Sequence, residues 1–492
     1  MTGPSTPHDR PRFNREGLAL LTDFYELTMM SGYWKGGRTQ QRVSFDYFFR
    51  TLPPNAGFAI TAGLDPFLDY LEHLRFEDDD IEYLSTLGVF EAPFLEYLRD
   101  FHPKFSVHAI PEGTPVFPFE PIVQVEGTIF ESQLIETALL NFLNYQTLIA
   151  TKAARICLAS NGDPVLEFGL RRAHGPDGGL SGSRAAYIGG CASTSNVLAG
   201  KIYGIPVAGT HAHSWVMSFD SELEAFRTFA RQYPEKCVLL VDTYDTVKSG
   251  VPNAITVFKE MREQGIDMRA AIRLDSGDLA KLSKIAYRMI TEAGLHDPLI
   301  VASNDLDEDL IADLKRQGAR INAWGVGTHL ITARDAPSLS GVYKLVALWD
   351  GESWRPRMKI SSNIEKATDP GRKQLIRYYN AEGHPIYDLM CLEKEDWPEQ
   401  GRIVGRSRMW PQHEVHPEKA VHCEALLQPV FLNGKRTHAR HPIAILRQRT
   451  LDHIAALPDE FKRLRNPEIY RVLLSNRIGE LKERMMAEQD LA

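Results

Sequence analysis

The chain has 492 residues, 43% hydrophobic and 24% charged, a composition that builds a buried core without disulfide or metal staples. Its 64 acidic and 56 basic residues are interspersed and leave a net charge of −8, which argues against a nucleic-acid partner. No run of about 18 apolar residues occurs, so no membrane-spanning helix is expected.

Length alone suggests about three domain-sized units. The five cysteines, Cys157, Cys191, Cys237, Cys391 and Cys423, form no CxxC pair and point to reduced thiols in a cytoplasmic protein. Cys237 lies in an apolar run and reads as a buried structural thiol. Residues 1–15, rich in Pro and Arg, lack the apolar core of a secretory signal.

In chain order, Leu18 to Lys35 reads as an amphipathic helix closed by Gly36-Gly37. Arg42 to Phe49 alternates like a strand and is ended by Leu52-Pro53-Pro54. Helices are expected over Gly63 to Phe76 and Ala92 to Phe101. Short runs broken by prolines from Phe105 to Gly127 suggest a small sheet or sandwich, and a long apolar helix follows over Phe130 to Ser160. From about residue 163, apolar runs alternate with helical patterns. The runs are Pro164 to Phe168, Ile205 to Gly209, Cys237 to Asp242, Arg269 to Asp275, Leu299 to Ser303 and Arg320 to Gly325; the helices are 220–233, 251–264, 278–293 and 305–317. This repeated β-then-α order predicts an α/β fold with a mostly parallel sheet, its spacing suiting a TIM-like barrel, with an open doubly wound sheet as the alternative. Residues 385–440 hold short strands with many His and Pro, and 447–485 look helical and charged. The expected divisions are an α+β domain over 1–150, an irregular α/β barrel over 151–380, and a C-terminal segment over 381–492 that packs back on the first.

Ligands of parallel α/β folds meet the carboxyl ends of the strands. Six such ends here carry polar or glycine-rich sets. Gly325-Val326-Gly327-Thr328 can admit an anion, because glycine lets backbone N–H groups approach and Thr328 adds a hydroxyl; an ordinary turn has the same look. Asp275 and Asp278 flank Ser276-Gly277, and paired carboxylates hold Mg²⁺ or ribose hydroxyls. Asp278 also fits a helix N-cap, so function is favoured for Asp275 alone. Arg273, two residues earlier, can share a strand face with Asp275 and stack on a ring or clamp a carboxylate. Arg171-Arg172 follows another strand end and suits phosphate or carboxylate. The glycine-rich stretch Gly175 to Gly190 reads as a close-approach loop.

His211-x-His213 is the sharpest local motif. Alternate residues of an extended segment share a side, so both imidazoles could ligate one metal. The later strand ends lack the further histidines such a site needs. A single histidine can instead accept a phosphoryl group, with a neighbour such as Asp242 fixing its tautomer.

Together these sets resemble nicotinate phosphoribosyltransferase over nearly the whole chain. The matching segments are Leu20 to Met29, Glu167 to Arg172, Gly209 to Ser214, Asp242 to Tyr244, Arg273 to Asp278, Gly325 to Thr328, Gly341 to Val346 and Arg357 to Lys359. The resemblance implies an irregular α/β barrel with a second α+β domain built from both termini. It implies that nicotinate and 5-phosphoribosyl 1-diphosphate give nicotinate mononucleotide and diphosphate with Mg²⁺, coupled to ATP hydrolysis in a ligase-type reaction of NAD salvage. A homodimer is implied, with Tyr25 reaching a site of the other subunit. His213 matches the histidine that ATP phosphorylates, and Asp242 would orient it. Tyr25 and Phe168 would sandwich the pyridine ring, Arg273 and Thr210 would contact nicotinate, and Asp275 would face ribose or metal. Gly327 and Thr328 would hold the 5-phosphate. Arg171, Lys344 and Lys359 would neutralise phosphate oxygens, and Asp23 is counted with the substrate-binding residues. A metal-dependent hydrolase built on His211 and His213, and a silent scaffold, are the competing readings. No nucleic-acid or membrane partner is expected.

Overall fold

The computed structural model describes residues 18–266, 268–359, 367–401, 403–408 and 413–490. The reading of residues 1–15 lies outside them. Contacts divide the chain into two units, Lys152–Pro337 and a second made of Met1–Thr151 with Ser338–Ala492.

The Lys152–Pro337 unit is the expected α/β alternation. Six strands pair in the order Ser193–Thr194, Val165–Glu167, Ala323–Val326, Leu299–Ala302, Ala271–Leu274 and Val238–Leu240, every pair parallel. Their residues are mostly buried and apolar, as parallel strands covered on both faces require. Between them lie helices Glu222–Gln232, Val251–Glu263, Leu279–Glu292 and Glu308–Arg316, each within three residues of its expected span. Trp324 is fully buried and donates its indole N–H to Asp163 at 3.0 Å.

Two expectations change here. The run Ile205 to Gly209 forms only a single bridge, Thr194 with Val207, and not a full strand. The backbone pairing therefore makes an open sheet among the described residues, with no closed barrel. The stretch Gly175–Ile188 is a helix, not a loop. Pro176 sits in its first turn, and Gly179 lets it approach closely, since a Cβ there would lie 2.6 Å from Leu170.

The second unit holds two larger sheets. One has the order Trp354–Pro356, Gly341–Trp349, Arg42–Phe49, Val123–Thr128, Ser106–Ala109, Gln428–Leu432 and Lys435–Arg436; the other joins Glu414–Val415, Gly405–Ser407, Val472–Leu474, Pro385–Leu392, Lys373–Tyr379 and His422–Ala425. The boundary expected at 380 moves to 338. Gly341–Trp349 pairs antiparallel with Arg42–Phe49 over seven residue pairs, which ties residues 341–349 to the N-terminal segment. A strand, Val472–Leu474, also interrupts the helical reading of 447–485, pairing parallel with Pro385–Leu392. The helix Asp78–Thr86, unforeseen, starts with a capping box between Glu77 and Asp80.

Several buried charges of this unit are paired. Asp46 meets Lys373 Nζ at 2.8 Å, both almost fully buried. Arg377 grips Asp388 with Nε and Nη2 at 2.9 and 2.6 Å, and the Tyr470 hydroxyl donates to the same carboxylate at 3.0 Å. Removing one partner of a buried pair strands the other charge. Asp388→Ala is therefore expected to cost about 3–5 kcal/mol in chemical denaturation, and a loss below about 1 kcal/mol would contradict this account.

Candidate active site

The polar strand ends of the Lys152–Pro337 unit are tied to one another by side chains. Asp242 Oδ2 accepts the backbone N–H of Asp275 at 2.8 Å and the hydroxyl of Ser276 at 2.6 Å. Asp275 in turn accepts the hydroxyl of Ser303 from the next strand end. Thr210 Oγ1 accepts from Arg273 Nη1 at 2.6 Å. Burial pulls the Arg273 guanidinium below its ordinary value, with Asp275 and Asp242 opposing that shift and Arg171 adding to it. Its Nε is buried with no acceptor, and Asp242 Oδ1 is buried with no donor.

His213 opens the short helix His213–Met217. Its Nδ1 lies 3.1 Å from Thr243 Oγ1, and its Nε2 lies 3.8 Å from Asp275 Oδ2. Asp242 is not its orienting group. That carboxylate spends Oδ2 on the neighbouring strand end, and the imidazole meets Thr243 and Asp275 instead. His211 is buried and its Nε2 accepts the backbone N–H of Leu240 at 3.2 Å. A nitrogen so engaged cannot share a metal with His213, and no cluster of three His, Cys, Asp or Glu side chains with metal-site geometry occurs among the described residues.

Phe168 stands half-buried at another strand end. Glu167, fully buried, accepts from Gly169 N–H, from Thr194 Oγ1 at 2.5 Å and from Ser183 Oγ at 3.0 Å, which holds the turn that carries the ring. Gly325 leaves room for the Phe168 ring, since a Cβ there would lie 2.7 Å from it. The first glycine of the Gly325 to Thr328 motif thus makes space for a ring, not for an anion. Gly327 precedes the short helix Thr328–Ile331, and Arg171 is exposed. Asp278 caps its helix through Lys281 N–H at 2.9 Å, as expected. Cys237 is buried, which pushes its thiol up to about 12 and leaves it no nucleophilic role.

The other unit carries the remaining candidates. Asp23 receives the hydroxyl of Thr137 at 2.8 Å. Tyr25 is 48% exposed. Beside it Glu26 is fully buried; Gln133 Nε2 donates to it at 2.7 Å and to Glu136 at 3.1 Å, and Glu26 Oε1 has no partner. Lys344 Nζ lies 3.8 Å from Glu136 and donates to the Tyr343 carbonyl at 2.5 Å. Burial lowers the Lys344 ammonium, an effect Glu136 opposes and Lys359 adds to.

Three family models cover most of the chain: the nicotinate phosphoribosyltransferase N-terminal domain over residues 20–144, the nicotinate phosphoribosyltransferase family over 165–379 and its C-terminal domain over 372–482. A Bacillus subtilis protein named nicotinate phosphoribosyltransferase is 45% identical over 490 residues, 97% of this chain and 98% of its own. The human nicotinate phosphoribosyltransferase is 35% identical over 97% of this chain and 98% of its own. The crystal structure of human nicotinic acid phosphoribosyltransferase matches with a TM-score of 0.83, at 33% identity, over 94% of this chain and 99% of that one. The chain belongs to the nicotinate phosphoribosyltransferase family.

Among the residues that carry the family motifs, the structure gathers Thr210, Arg273, Asp242, Asp275 and His213 into one bonded rim, and groups Tyr25 and Lys344 around Glu26, Gln133 and Glu136. Sequence reading gave no role to Thr243, Ser303, Glu167 or Glu26. Glu167 had a signal: a carboxylate ending an apolar strand run just before glycine. Glu26 had one too, as a carboxylate on the same helix as buried Leu27 and Met30.

Burial raises Glu26 from an ordinary 4.5 to about 7, with hydrogen bonds from Gln133 and Tyr25 opposing and Glu136 and Asp23 adding to the rise. The folded state then holds this proton more tightly than the unfolded chain. The stability it contributes is full below about 4.5 and is lost as pH rises toward 7. Glu26→Gln should flatten the dependence of melting temperature on pH across that window and melt higher than the parent near pH 8. Parallel pH curves for the two proteins would refute the assignment.

Proposed function

We propose that the chain transfers the phosphoribosyl group of 5-phosphoribosyl 1-diphosphate to nicotinate, releasing diphosphate and forming nicotinate mononucleotide for NAD salvage. The observation that carries the substrate choice is Arg273. A guanidinium that is partly buried, fixed by Thr210 and left with a buried, unpartnered Nε suits a planar anion, and the nicotinate carboxylate is one. A neutral amide satisfies that charge less well. Phe168, seated over Gly325 and braced by Glu167, offers a ring face for the pyridine.

Transfer passes through a cationic, oxocarbenium-like C1. The carboxylates of Asp275 and Asp242 place negative charge where that cation develops. Mg²⁺ carried on the diphosphate substrate would neutralise charge on the leaving group. Asp242 Oδ1, buried without a donor, and Asp275 are the oxygens that fit it, because Mg²⁺ is commonly held by one or two carboxylates plus phosphates. Gly327 and Thr328 bind the 5-phosphate, and Arg171 faces phosphate oxygens. The roles of Tyr25, Asp23, Lys344 and Lys359 follow from the matching segments.

ATP coupling runs through His213. With Nδ1 turned to Thr243, the Nε2 lone pair attacks the γ-phosphorus, the bond to the bridging oxygen breaks, and ADP leaves. Water later cleaves the N–P bond and releases inorganic phosphate. The enzyme works in the cytoplasm, where its five unpaired cysteines stay reduced, and as a homodimer. Phe24 and Tyr25, 51% and 48% exposed at the first helix, are apolar surface that a second copy would cover.

Diphosphate release should be faster with nicotinate than with nicotinamide, and ATP should accelerate it. His213→Ala should lose the ATP effect and keep the basal rate. Arg273→Ala should raise the KM for nicotinate by about 10- to 100-fold, the value of one charge-assisted bond. Gly325→Ala, which drives a methyl into the Phe168 ring, should raise the same KM by about tenfold with a smaller change in the diphosphate substrate's KM. No release with either base would overturn the reading.

A further inference from the structure

The mechanism leaves His211 unused, although it stands between two residues the mechanism needs. Thr210 holds Arg273, and His213 meets Thr243. His211 itself is 7% exposed. Its ring lies against Phe226 and Phe229 of the Glu222–Gln232 helix, with centroids 6.0 and 4.8 Å away. Its Nε2 accepts the N–H of Leu240 at 3.2 Å.

Leu240 belongs to Val238–Leu240, the last strand of the parallel sheet. At the opposite end of the strand order, Val207 adds one bridge to Ser193–Thr194 before the chain turns away. An edge strand presents backbone N–H groups that need acceptors once buried. At Leu240 the acceptor is an imidazole in place of a neighbouring strand's carbonyl. Two and three residues later that strand run reaches Asp242 and Thr243.

We propose that His211 is a positioning residue that fastens the 209–214 turn to the edge strand and so keeps the Thr210–Arg273 bond and the His213–Thr243 contact in register. The consequence for His213 rests on its reading as the phosphoryl acceptor, whereas the fastening does not. The role requires a neutral ring with its proton on Nδ1, which can donate to the Ala212 carbonyl 3.4 Å away. The environment supports this. Phe226 and Phe229 cover the ring, and Arg273 and His213 are the charged or titratable neighbours. Burial first, then Arg273 and His213, hold the imidazole down to about 4 against an ordinary 6.5.

Two experiments test it. In protein labelled with ¹⁵N-histidine, one imidazole should stay neutral with Nε2 unprotonated down to about pH 5, identified by its absence from His211→Gln. Titration of that ring near 6.5, or a proton on Nε2, would overturn the proposal. His211→Phe keeps the ring volume and removes the acceptor, while His211→Gln retains an acceptor oxygen. The Phe variant should raise the nicotinate KM and lower His213 phosphorylation by about tenfold each, with the Gln variant within about threefold of the parent, the worth of one buried hydrogen bond. A Phe variant with parental values, or a Gln variant as impaired as Phe, would sink it. If the Phe variant does not fold, the titration decides. If the parent shows no phosphohistidine, the His213 reading fails, and the nicotinate KM still tests the fastening.

Discussion

Asp242 reaches across two adjacent parallel strands to take the N–H of Asp275 and the hydroxyl of Ser276, and the whole strand-end rim depends on bonds of this kind. A parallel ladder runs out of partners where its strands end, yet buried N–H groups still need acceptors. Side chains supply them here. Glu167 takes Gly169 and two hydroxyls, and His211 takes Leu240. Ser303 and Thr210 extend the same net to Asp275 and Arg273. Residues that satisfy the backbone therefore also fix the residues proposed to meet substrate. The site is preorganised because the sheet has to be finished.

The net leaves two atoms over, and they have opposite character. Arg273 Nε lacks an acceptor and Asp242 Oδ1 lacks a donor, both buried. Each such atom costs about 1–3 kcal/mol when left without a partner. The protein could have paired these two groups with each other. Instead Thr210 holds the guanidinium and the Asp275 backbone holds the carboxylate. On the proposed function an anionic base would satisfy one and a cation carried on diphosphate the other, in a reaction that brings both charges into one place.

Much of this was readable in the sequence, because the apolar runs of the parallel sheet are continuous and each ends in a polar set. Leu299–Ala302 is one such case, observed within its expected run, and Arg42–Phe49, an antiparallel strand of the other unit, has its expected bounds too. What was not readable depends on contacts between distant segments. Nothing local shows that Gly341–Trp349 pairs with Arg42–Phe49, so a boundary read from local pattern falls too late in the chain. Gly175–Ile188 has loop composition, and its helix exists because small residues let it pack against Leu170. Position along the fold points Asp242 at His213, whereas its bonds run to Asp275 and Ser276 on the next strand, where only the register brings them.

The two histidines of His211-x-His213 show why spacing alone misleads. In a continuous strand they would share a side and could share a ligand. The chain does not stay extended. After the single bridge at Val207 it turns into the helix that begins at His213, and the two rings part. One is packed against Phe226 and Phe229 and finishes the sheet. The other keeps a side chain 39% exposed between Thr243 and Asp275, open to a substrate. Burial holds the first neutral, so that it accepts a backbone proton steadily, whereas chemistry on the second needs an open nitrogen. On the proposed function the same residue type serves the fold and the reaction two positions apart, and the exposure of the side chain separates the roles.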